Sequence, residues 1–92
     1  MPVFFSFGER EASVTEDEAR KIAERLPPDL LRDEILSRVD GRSSGPILLD
    51  LGGNEARLAA LRSAIDSLED EEDLSQSVKL LRKRAADASE DL

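Results

Sequence analysis

The sequence predicts an α+β fold: a small three-stranded sheet with three or four helices packed mainly on one face, in the order ββααβαα. Three observations lead there. The chain's only aromatics, Phe4, Phe5 and Phe7, arrive together in one N-terminal stretch. A second short apolar run, Ile47 to Leu51, is bounded by glycine on both sides. Elsewhere apolar residues recur every three or four positions, the period of a helix that buries one face.

Val3-Phe4-Phe5-Ser6-Phe7 is rich in aromatic and β-branched residues and reads as a strand. Gly8-Glu9 then suits a type II′ turn, with Gly at the first central position. A two-residue turn fixes the pairing: Phe7 with Arg10, Phe5 with Ala12, Val3 with Val14. That register puts Val3, Phe5, Phe7, Ala12 and Val14 on one face. Phe4, Ser6, Glu11 and Ser13 fall on the other, where only Phe4 is apolar. The competing reading is a bare loop from Gly8 to Val14.

Thr15-Glu16-Asp17-Glu18 has the form of a capping box, with acids placed at the positive end of the helix dipole. Ala19, Ile22, Ala23 and Leu26 continue at helical spacing until Pro27-Pro28 stops the helix. Leu31, Ile35 and Val39 mark a second helix, widened by Leu30 and Leu36. Asp40-Gly41 is expected to close it through a left-handed glycine. Arg42 to Pro46 reads as a loop. Ile47-Leu48-Leu49-Asp50-Leu51 is too short for a helix and reads as a strand, with Ile47, Leu49 and Leu51 on one face and Leu48 and Asp50 on the other.

Asn54 is the expected N-cap of a third helix, whose stripe is Leu58, Leu61, Ile65 and Leu68. Glu69 to Asp73 interrupts it, and Val78, Leu81, Ala85 and Ala88 resume the period. Either two helices, 54–68 and 74–88, or one long helix satisfies this pattern, and the acidic interruption tips the reading towards two. Residues 89–92 are expected to form a frayed tail. Ser13 to Arg20 also echoes Asp50 to Arg57: an apolar strand end, a turn, then Glu-Ala-Arg. Two similar strand-turn-helix units or chance would produce the same echo.

Ninety-two residues correspond to one domain. Hydrophobic residues make up 39%, below the roughly 45–50% of ordinary globular chains, so the core is thin and self-association is favoured. With no cysteine, no disulfide reinforces it. The formal net charge of -8 argues against nucleic acid and against acidic membrane surfaces as partners. No segment approaches the length of a membrane span, nothing resembles a signal peptide, and a cytoplasmic location is expected.

The absence of His and Cys leaves no base near neutral pH and no thiol nucleophile. Ser43-Ser44 has no imidazole to activate it, and a Ser-Lys dyad would need Lys21 or Lys79 buried beside it. The chain is therefore expected not to be an enzyme. No metal or cofactor is expected either. Glu69, Asp70, Glu71, Glu72 and Asp73 are consecutive and lack the glycine turn and alternating oxygens that calcium needs. Gly52-Gly53-Asn54 offers amides at a helix start, but it lacks the lysine of a phosphate loop and Glu55 would repel an anion. Lys79, Arg82, Lys83 and Arg84 form the only basic cluster.

The expectation is a small protein-interaction module that forms a homodimer. Its contact is either the outer sheet face, through Phe4 and Leu48, or the apolar stripe of Val78, Leu81 and Ala85. The alternative is an acidic regulator, or antitoxin-like inhibitor, that binds a basic protein partner through Glu69 to Asp73.

Overall fold

The computed structural model describes residues 2–28, 30–41 and 47–90. The expected loop 42–46, with Ser43 and Ser44, lies outside them, as do residues 91 and 92. The elements are β1 (Val3–Phe7), β2 (Arg10–Val14), α1 (Glu16–Arg25), α2 (Leu30–Asp40), β3 (Ile47–Asp50), α3 (Glu55–Glu69) and α4 (Gln76–Glu90). This is the expected α+β order, with four helices.

The hairpin forms in the register its turn length dictates, pairing Val3 with Val14, Phe5 with Ala12 and Phe7 with Arg10. Gly8 turns the chain at φ +79°, a conformation that glycine adopts without a Cβ penalty. β3 then pairs in parallel with β1, Val3 with Ile47 and Phe5 with Leu49, giving the strand order β2-β1-β3. A parallel return needs a long crossover, and α1 and α2 supply it. The aromatic strand thus becomes the centre of the sheet, where Phe5 is fully buried and its removal from water contributes about 2–3 kcal/mol.

All four helices feed one core on the inner sheet face. α4 lies against β2 and β1, α3 against α4 and α1, α1 against α2, and α2 against β3. Ile22, Ile35, Leu58, Leu61, Ile65 and Leu81 are fully buried among them. Ion pairs stitch the helix surfaces: Arg20 to Asp40 at 2.7 Å, Arg57 to Glu34 at 3.3 Å, and Arg82 to Asp66. On exposed or half-buried side chains, such pairs are individually weak.

The helix ends follow local chemistry. In α1 the Thr15 hydroxyl accepts from the Glu18 amide at 3.1 Å while Glu18 Oε1 accepts from the Thr15 amide at 2.9 Å. Leu26, ahead of Pro27, is extended and ends the helix. α3 starts at Asn54, whose Oδ1 accepts from the Arg57 amide. The repeated Glu-Ala-Arg follows a strand and a turn in both places but falls two positions out of step in its helix: aligned on that motif, Thr15 matches Gly52, two positions before the Asn54 cap.

One expected cap is different. Gly41 does not take the left-handed conformation; a Cβ there would sit 2.7 Å from the Ser37 carbonyl oxygen, so close backbone approach is what glycine permits. The chain also breaks between α3 and α4. The Glu71 and Glu72 amides both turn back to the Leu68 carbonyl, and Ser75 opens α4 by accepting from the Val78 amide. Acids crowd the negative end of α3, where the dipole disfavours them. α4 continues to Glu90, so Ser89 and Glu90, expected in the frayed tail, belong to the helix.

Candidate interaction surface

The outer sheet face is a grid fixed by the two strand registers. One row crosses the sheet as Ser13, Phe4 and Leu48; the next, as Glu11, Ser6 and Asp50. Strand alternation forces this outcome, since every neighbour of these residues along the chain turns inward. Neighbouring strands run about 4.8 Å apart, so Phe4 and Leu48, register partners on one face, form one apolar ridge. Phe4 is half-buried and Leu48 is 54% exposed. Beside the ridge, exposed Glu11 and Asp50 flank Ser6. The face therefore presents apolar contact bordered by negative charge.

The alternative contact lies elsewhere. Val78, Leu81 and Ala85 are buried in the chain's own core, where they hold α4 against the sheet. What α4 does show to solvent is Leu80, 43% exposed, which the expected stripe passed over. Its signal in the sequence is its position, off the spacing of Val78, Leu81 and Ala85. Lys79 and Lys83 are exposed beside it, Arg84 is half-buried, and Arg82 is held by Asp66.

The acidic run divides in two. Glu71 receives the Arg25 guanidinium and Glu72 the Lys21 ammonium at 3.1 Å, both from α1. Hydrogen bonding to Arg25 holds the Glu71 carboxyl below its ordinary range, against the opposing effect of burial, and the same contact raises Arg25. Glu69, Asp70 and Asp73 stay exposed. The run is thus partly structural, pinning the α3–α4 turn to α1. Among the described residues, no three or more acidic side chains converge as a metal site would require.

Two of the Gly52-Gly53-Asn54 amides are spoken for as well. Asp50 Oδ1 accepts from the Gly52 amide at 2.9 Å and the Leu51 carbonyl from the Asn54 amide at 3.3 Å, while the Asn54 side chain takes the Arg57 amide. A broad cleft of about 450 Å³ opens beside Val14, Thr15 and Ser77, but Glu16 and Asp17 line it and the Thr15–Glu18 box occupies its helix-start amide. Anions find little there. Comparison of the chain with protein families, with curated proteins and with solved structures returns no match.

Proposed function

We propose that this chain is a small non-catalytic protein-interaction module that self-associates through its outer sheet face. The observation that carries the reading is the register pairing of Phe4 with Leu48 on the side of the sheet away from the helices, with Leu48 more than half exposed. Large apolar side chains set side by side on an open face favour burial against another surface. The thin core of a short, highly charged chain adds to that drive. The reading places it in the cytoplasm, which the absence of cysteine does not contradict.

Light scattering after size-exclusion chromatography tests it. The expected result is a mass above that of one chain at high micromolar concentration, falling to the single-chain value for Phe4→Glu/Leu48→Glu. A single-chain mass for the unaltered protein throughout that range rejects the reading.

Capture of a basic protein is the second reading. Glu69, Asp70 and Asp73 support it, being exposed and close in sequence. Such binding weakens steeply with salt. An affinity unchanged from low to high ionic strength rejects it.

A further inference from the structure

Leu48 and Leu80 are the two large apolar side chains left exposed among the described residues, and they belong to opposite layers of the molecule. Leu48 lies on the outer sheet face. Leu80 lies on α4, which packs against the inner face through Val78, Leu81 and Ala85. The sheet stands between them, so they cannot meet within one copy.

Their surroundings have opposite charge. Beside Leu48 and Phe4 stand Glu11 and Asp50; beside Leu80 stand Lys79 and Lys83, a helical turn apart and exposed. Asp87, one turn beyond Lys83, is the only acid between Gln76 and Asp87, so the ridge is net basic in a chain whose overall charge is -8. We propose, resting on self-association through the outer sheet face, that the surface received there is the α4 ridge of a second copy. Leu80 seats on Phe4 and Leu48, and Lys79 and Lys83 meet Glu11 and Asp50.

A second outer sheet face would bring more carboxylates to Glu11 and Asp50, whereas the α4 ridge brings cations. The shapes also agree. Three strands about 4.8 Å apart make a face roughly one helix diameter across. The contact is heterologous, so each added copy leaves one sheet face and one α4 ridge open. Assembly therefore grows with concentration instead of stopping at two copies. Stable complexes bury roughly 800 Å² per partner, and a contact centred on three apolar side chains, Phe4, Leu48 and Leu80, makes for weak association.

The test is sedimentation velocity on Leu48→Glu and Leu80→Glu, both surface substitutions, each checked for an unchanged circular dichroism spectrum and melting temperature. Leu48→Glu keeps its α4 ridge and Leu80→Glu keeps its sheet face. Each alone is expected to sediment as a monomer, and an equimolar mixture as a one-to-one dimer that goes no further. Glu11→Lys is a second route, expected to weaken association of the full chain at least several-fold and to recover it when mixed with Lys79→Glu/Lys83→Glu. Self-association of Leu80→Glu at the unaltered level overturns the α4 ridge as partner while leaving the sheet-face reading standing. A mixture that stays monomeric also overturns the proposal. An unaltered chain that is monomeric throughout overturns both readings.

Discussion

Glu18 joins the starts of two helices to each other: one carboxylate oxygen accepts the Thr15 amide at the head of α1, and the other accepts the Ser75 hydroxyl at the head of α4. Ser75 in turn takes the Val78 amide, so a chain of hydrogen bonds runs from one cap to the other. Burial alone would raise the Glu18 pKa. The hydrogen bonds from Ser75 and Thr15, with a smaller attraction from Lys21, outweigh it and hold the group below its ordinary range.

Removing that carboxylate loosens both ends. Glu18→Ala is expected to cost about 1–2 kcal/mol, the range for a lost cap and a lost charge-assisted hydrogen bond. Ser75→Ala should cost less, and the double variant less than the sum, because both delete the same contact. Urea denaturation of the four proteins reads the coupling directly; strict additivity would mean that Glu18 and Ser75 do not act together.

Acid should weaken the fold through the same group and through Glu71. Each has a folded pKa below its ordinary value, so its stabilisation is fully present above about pH 4.3 and is lost as pH falls through the lower folded value. The sign is therefore falling stability as pH falls below that value. Urea midpoints at pH 7, 5 and 3 should show a smaller acid loss for Glu71→Gln than for the unaltered chain, because Arg25 then has no carboxylate to lose.

Glycine substitutions separate two physical reasons for having no side chain. Gly53→Ala meets open space but a φ of +74°, and is expected to cost about 1 kcal/mol, with Gly53→Asn milder. Gly41→Ala has no left-handed φ to adopt but meets the Ser37 carbonyl at 2.7 Å, and should cost at least as much through displaced backbone. Thermal melts distinguish them, since asparagine should relieve Gly53 and not Gly41.

Adjacent leucines in α4 should behave oppositely. Leu81→Ala opens a cavity under a fully buried position, at about 2–5 kcal/mol. Leu80→Ala should change stability by less than about 0.5 kcal/mol, as surface substitutions do. Equal destabilisation of the two would place α4 in a different rotation against the sheet.

The sequence by itself determined what rests on neighbours a few residues apart. A two-residue turn at Gly8 leaves one register for the hairpin, and alternation then assigns each of Val3 to Val14 to a face. The Thr15–Glu18 box and the Asn54 cap are satisfied within three residues, so their chemistry was legible without the fold. Gly41 misled because the same residue type serves both left-handed turns and close backbone contacts.

Tertiary structure alone decided the rest. Which edge of the hairpin β3 would join depends on how the crossover helices pack, and only that choice makes Phe4 and Leu48 register partners. The pairing of Glu71 and Glu72 with Arg25 and Lys21 joins residues 46 and 51 positions apart, and the Glu18–Ser75 contact spans 57. No local period encodes such meetings. They arise because burying one shared set of apolar side chains brings distant polar groups to the same rim.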